Sequence, residues 1–322
     1  MIPLVLKLLR DLRWPLLITV LLLAGFQCLW VKIAQRTVTQ LAPFFSTLAA
    51  RAGASQKAIE DVIFGGPGKI AQTVIGGESI HFERAMDTLS IGYVHPLMQI
   101  IFCIWAIGRA AGALAGELDR GTMELLLAQP IARRHVVLSH LVVDLLVIPV
   151  VSLALWVGTM AGSWLVGPFQ ITEADLAVFK SLPFAVTIDP KLLEYDPWTF
   201  APATVNVAAL IFALSGLTMA LSSVGRFRNR VIGVAVLLAL LMFLVNVIGQ
   251  LWEPLTTWRP LTMFFYYQPQ AIALHRNWSA NLSAVWSGAG TVNVIAVLLS
   301  VGLAGYAAAL AIFTRRDLPA PL

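Results

Sequence analysis

Six stretches of the chain stay apolar for close to the length that crosses a bilayer: Trp14–Val31, Leu89–Gly108, Leu141–Val166, Thr204–Val224, Val231–Leu251 and Thr291–Phe313. Hydrocarbon about 30 Å thick calls for about 20 helical residues. It also offers no partner to backbone N–H and C=O groups, so runs of this length predict helices that bond internally. The pattern predicts an all-α, polytopic membrane protein with six transmembrane helices. Ahead of the first run, Leu4, Val5, Leu8, Leu9 and Leu12 share one helical face while Lys7, Arg10 and Asp11 share another. Residues 1–13 therefore read as an interfacial amphipathic helix. A signal peptide is the rival reading. The apolar run is longer than a signal's apolar core, and no small-x-small site follows it, which favours a retained helix.

The segments between the runs differ in kind. Residues 32–88 are mixed polar, with a break at Gly65-Gly66-Pro67-Gly68, and predict a small extracytoplasmic loop with short helical patterns. The second run continues through small residues to Gly116, and residues 117–135 link it to the third. Residues 167–203 form a proline-bearing acidic loop. Arg226-Phe227-Arg228-Asn229-Arg230 is too short to hold a domain, so the fourth and fifth helices are antiparallel neighbours. Residues 252–290 are dense in tryptophan, tyrosine and proline. Those prolines forbid one straight helix, which predicts short broken or re-entrant helices, or else an aromatic belt at the headgroups.

Composition agrees: 58% of residues are hydrophobic and 12% charged. The net charge of +5 does not call for nucleic acid, because basic residues sort to the cytoplasmic ends of membrane helices. With the N-terminus inside, the cytoplasmic segments hold twelve basic residues against five acidic ones. Both termini are then cytoplasmic, in a cell's inner (plasma) membrane. Cys28 and Cys103 each lie inside an apolar run and read as packing residues.

Catalytic chemistry finds little support. The nearest approach to a phosphate loop, Gly68-Lys69, has Ile70 in place of Ser or Thr and Ile63 in place of the first glycine. His81, His95, His135, His140 and His275 are dispersed, without a metal-binding spacing. No serine sits in a G-x-S-x-G setting. Asp144 is the one acidic residue within a run, and Arg109 lies near the end of another; the pair reads as structural or snorkelled, with a coupling-ion site as the sharper alternative. Gly108, Gly112 and Gly116 recur every fourth residue and form a face on which a helix backbone can approach closely, within the chain or between two copies. Gly158 and Gly162 are a second, weaker instance.

The link from Gly116 to Arg134, GELDRGTMELLLAQPIARR, carries the most information. It reads as a helix, a glycine break, and a short second helix with Thr122 as N-cap and Glu124 in its first turn. Pro130 ends that helix or starts the next. Such a charged-ended helix parked beneath a bilayer is a docking element.

This segment resembles the cytoplasmic signature of the ABC type-2 exporter permease family: a glutamate, Gly-Thr, a leucine cluster, a proline and a basic residue between the second and third helices. Glu117, Gly121-Thr122, Leu125 to Leu127, Pro130 and Arg133 match that order and spacing. Phe264-Phe265-Tyr266-Tyr267-Gln268-Pro269 and Phe313-Thr314-Arg315-Arg316-Asp317 are similar too. Ser139-His140 departs from the family's frequent lysine early in the third helix, and the first external loop is long.

The resemblance implies a coupling helix seated in a cleft of a separate ATP-binding cassette ATPase. Two ATPase copies would hold ATP and Mg, with no cofactor on this chain, and would drive two permease copies, a homodimer or close paralogues embedded in lipid. It assigns coupling to Glu117, Gly121, Thr122, Glu124, Leu125, Leu126, Pro130 and Arg133, with Leu125 and Leu126 supplying apolar contact and Glu117 and Arg133 orienting the elbow by ion pairing. An ion-coupled secondary transporter predicts an inverted repeat and midplane charges, and a membrane-embedded enzyme or scaffold predicts clustered titratable groups; neither pattern is present.

Overall fold

Periodic apolar stripes, more than run length, decide where the helices begin and end. A computed structural model describes residues 1–53, 81, 84–172, 175, 189–283 and 285–316. Within them six helices are long and apolar enough to cross a membrane.

The first, α1, is one helix of 51 residues, Ile2–Ala52. At 1.5 Å per residue it is about 77 Å long, more than twice the hydrocarbon thickness. The sequence predicts a separate interfacial helix over 1–13 and a loop from residue 32; the structure has a break at neither place. The reason is phase. Leu12, Leu16, Val20, Leu23, Val31, Ala34 and Val38 follow one another at helical spacing, and all pack into the core. Pro15 and Pro43 sit inside this helix without ending it. Gly53 does end it, with φ 59° and its N–H on the Ala49 carbonyl. The Gly65 to Gly68 break lies outside the described residues.

The second span is two helices, α2 (Ala85–Val94) and α3 (Pro96–Ala113), jointed at His95. Pro96 lacks an N–H and forces the residue before it out of the helical region, and His95 accordingly sits at φ −56°, ψ 132°. Its Nδ1 accepts from the Leu97 N–H at 3.2 Å and so caps α3. Two short helices follow, α4 (Ala115–Asp119) and α5 (Thr122–Leu127), then the long α6 (Arg133–Val166). After two 3-10 turns come α7 (Ala203–Val224) and α8 (Arg228–Leu251), joined by the short basic hinge.

Packing is closest where glycines remove side chains. A Cβ on Gly158 of α6 would lie 2.4 Å from the Ala24 carbonyl oxygen, and one on Gly162 2.8 Å from that of Cys28. Helices α1 and α6 therefore touch backbone to backbone. The last span, α11 (Val294–Arg315), meets α7 in the same way, since a Cβ on Gly216 would lie 2.2 Å from the Gly302 carbonyl oxygen. Helix α7 sits at the centre, against α3, α6 and α11.

Residues 252–290 do form short broken helices: α9 (Glu253–Thr256), 3-10 turns at Arg259–Leu261 and Met263–Tyr266, and α10 (Pro269–His275). An unanticipated antiparallel hairpin, β1 (Ser279–Asn281) with β2 (Thr291–Asn293), then leads into α11. The strand takes the first three residues of the sixth apolar run, and Asn293 caps the helix by accepting from the Ile295 and Ala296 N–H groups. The aromatic run is no surface belt. Phe264, Phe265, Tyr266 and Tyr267 are buried, whereas Trp252 and Trp258 are exposed. Tyr267 donates to the Tyr93 carbonyl at 2.5 Å, and Asn206 of α7 clamps the run through the Tyr266 carbonyl (3.0 Å) and the Gln268 N–H (2.8 Å).

Candidate coupling site

The elbow between the second and third spans turns at one residue. Gly121 has φ 70°, left-handed backbone that a side chain resists, and its N–H bonds the Leu118 carbonyl at 3.1 Å. Gly121 thereby takes the N-cap position that the sequence assigns to Thr122. Thr122 is instead the first residue of α5, and its hydroxyl donates back to the Glu117 carboxylate. Glu117 also pairs with Arg120 at 2.5 Å. Among the described residues Arg133 forms no ion pair; it donates from Nη1 to the Arg316 carbonyl at 2.6 Å, tying the start of α6 to the end of α11.

A six-residue helix cannot hold itself together, so α5 depends on an anchor. Met123 is that anchor, 1% exposed in the core. Leu126 and Leu127 are half-buried against the same core. Leu125 points the other way, 71% exposed beside the exposed Glu124. The two leucines paired by sequence therefore part company: Leu125 faces outward and Leu126 helps seat the helix. Beyond them, Ala128 to Pro130 are exposed and form the break before α6.

The root of the elbow is fixed to other helices. Between α3 and α4 the main chain leaves two N–H groups, of Leu114 and Ala115, and Ser222 Oγ of α7 accepts from them at 3.3 and 3.0 Å. The same hydroxyl donates to the Ala111 carbonyl at 3.3 Å. The Asp119 carboxylate accepts from the Arg228 N–H, at the start of α8, at 3.4 Å. The α3–α4 root of the elbow is thus bonded to both α7 and α8.

Among the described residues, no other span brings its backbone close to the Gly108, Gly112, Gly116 face. A Cβ on Gly108 would meet nothing within 4 Å, and at the other two the neighbour is the Arg228 side chain, at 3.7 and 3.4 Å. Close helix approach is found instead at Gly158, Gly162, Gly216 and Gly302.

The model for the family described as ABC-2 family transporter protein matches residues 6–318. The chain belongs to that family. The match takes in all six spans and the elbow, and no curated protein matches the chain. An ABC-2 transporter protein of this kind is a multi-pass transport subunit, and family membership implies partnership with an ATP-binding cassette ATPase.

Above its elbow, the ABC-2 permease carries a buried charge cluster that sequence identifies only in part. Arg109 of α3 forms a two-pronged ion pair with Asp144 of α6. Its Nη2 donates to the His140 carbonyl at 2.8 Å, and its Nη1 lies 3.3 Å from His140 Nδ1. Tyr306 of α11 donates its hydroxyl to the second Asp144 oxygen. Asp144 is fully buried, and His140 and Tyr306 are nearly so. The structural pairing of Arg109 with Asp144 is realised; Tyr306 and His140 were not legible, because neither sits in a pattern that names its partner. Among the described residues, no group of three His, Cys, Asp or Glu is placed to hold a metal ion.

Proposed function

We propose that this ABC-2 permease is the membrane half of an ATP-driven exporter, in which α5 seats in a cleft of a separate ATPase subunit. Two copies of the chain, each with one ATPase, form the working unit, and ATP with Mg resides on the ATPases. In this reading the elbow, 117–135, and both termini are cytoplasmic, and residues 32–88, 167–203 and 252–290 lie outside, in a cell's inner membrane.

One observation carries the reading: Leu125 stands 71% exposed on a helix whose opposite side is pinned by Met123. A large exposed apolar side chain on a rigid, core-anchored mount, flanked by Glu124, has the composition of a protein contact. Gly121, Thr122 and Glu117 hold the angle of that mount, Pro130 and Arg133 set its far end, and Leu126 braces it from within. The hydrogen bonds from the elbow's root to α7 and α8 give ATPase movement a route into the spans. Cargo then moves along the seam between two copies.

Co-purification tests the proposal. Leu125→Asp is expected to retain the membrane fold yet lose the ATPase from the complex and abolish transport-linked ATP turnover. An intact complex with unchanged turnover would overturn it. Stimulation of that turnover by a compound panel would identify the cargo.

A further inference from the structure

Both ends of the elbow are bonded to one turn of α7. At the entrance, where α3 passes into α4, Ser222 Oγ accepts from the Leu114 and Ala115 N–H groups at 3.3 and 3.0 Å. At the exit, Arg133 donates from Nη1 to the Arg316 carbonyl at 2.6 Å. The Arg316 side chain continues that path, because its Nη1 donates to the Ser223 carbonyl at 2.9 Å and to the Gly225 carbonyl at 3.1 Å. The two routes meet within residues 222–225, the end of α7 and its C-cap Gly225.

The bonds use groups that a helix end leaves over. An α-helix cannot satisfy its last carbonyls internally, and a cation is favoured at the negative end of its dipole. In α7 the Leu221 carbonyl is taken by the Gly225 N–H, whereas the Ser223 carbonyl is supplied by an arginine from beyond the end of α11. Helices α7 and α11 already touch backbone to backbone at Gly216 and Gly302, so Arg316 is not needed to pair them. What Arg316 adds is the connection to Arg133 and the elbow's exit.

We infer that the last turn of α7 receives the ATPase-driven movement of the elbow, and that Arg316 is the positioning residue joining the elbow's exit to it. The inference rests on the docking of α5 proposed above. An elbow bonded at its entrance alone can absorb a tilt of α5 by swinging about that point. Bonded at both ends to a single turn, it carries α7 with it. Arg133 and Arg316 act in series: Arg133 bonds the Arg316 backbone, and the Arg316 side chain bonds α7.

Titration of the ATPase subunit onto the reconstituted full-length permease, followed by ATP turnover at saturation, tests it. Arg316→Met keeps an unbranched stem and removes the donors. It is expected to leave ATPase affinity and the KM for ATP within about twofold of wild type. The change in kcat that the permease imposes on the bound ATPase is expected to shrink by about fivefold. Arg316→Lys, whose single ammonium can serve both carbonyls as Nη1 does, is expected to keep most of that change. Arg133→Met breaks the same path one link earlier with the α7 carbonyls still capped, and the double variant is expected to lose no more than either single one. Wild-type kcat in either folded single Met variant, or a double variant whose fold-loss is the product of the single ones, overturns the inference while the docking of α5 stands. An ATPase that stays bound to Leu125→Asp overturns the docking, and this inference with it.

Discussion

Arg109 and Asp144 face each other from α3 and α6 as an ion pair removed from solvent, and Tyr306 of α11 completes it. Three spans that are distant in sequence are thereby fixed at one level above the elbow. A buried pair of this kind adds little net stability over a well-packed apolar pair, but removing one partner strands the other charge. Asp144→Ala is expected to destabilise the fold by about 3–5 kcal/mol. The double change Arg109→Met with Asp144→Leu is expected to recover most of that loss. Thermal unfolding in detergent measures both, and a double-variant loss equal to the sum of the Arg109→Met and Asp144→Leu losses would show that the charges are not coupled.

Glycines separate into those that hold helices together and those that do not. Gly216→Val forces a side chain into the Gly302 backbone, where even a Cβ would approach to 2.2 Å, and is expected to cost about 3 kcal/mol. Gly108→Ala meets nothing within 4 Å and is expected to change stability by less than about 0.5 kcal/mol. Melting temperatures of the two variants check the contrast, which the sequence alone does not rank, since its most regular glycine repeat is the one at Gly108.

That contrast marks what a one-dimensional reading can reach. The six spans were legible because run length and hydrocarbon thickness are directly comparable. The extent of α1 was hidden by Lys32, Gln35 and Arg36, which read as the start of a polar loop although Val31, Ala34 and Val38 keep the core stripe in phase. The break at His95 could have been read from Pro96 alone. At the elbow, the break at Gly121 follows from local chemistry, whereas the bond from Thr122 to Glu117 was not legible, because the sequence assigns Thr122 to the N-cap. The partners supplied from afar do not follow from it either: Ser222 on Leu114 and Ala115, Arg316 under Arg133 and Tyr306 on Asp144 depend on which helices pack together, and a charge pattern in one segment carries no such information.

The aromatic run before α11 owes its place to one side chain. Asn206 is fully buried in α7 and satisfies both the Tyr266 carbonyl and the Gln268 N–H. Asn206→Leu leaves both groups buried without partners, at about 1–3 kcal/mol each. The expected result is faster protease cleavage within residues 252–290, with the remaining spans protected.

The turn at Gly121 offers a graded test of the elbow that leaves its contact surface untouched. Its φ of 70° lies in the region where a Cβ crowds the following carbonyl, so Gly121→Ala is expected to cost about 1–2 kcal/mol of local strain. Asn tolerates that backbone better, and Gly121→Asn is expected to cost less. Strain at this joint is relieved by tilting α5, which moves Leu125 away from the position that Met123 fixes. ATPase affinity should therefore fall in the order Gly, Asn, Ala while Leu125 itself is unchanged. Titrating the ATPase subunit onto the reconstituted permease reads that order directly. If Ala and Asn weaken binding equally, the added side chain rather than the backbone angle is responsible, and Gly121 is open space at the contact instead of the hinge that aims it.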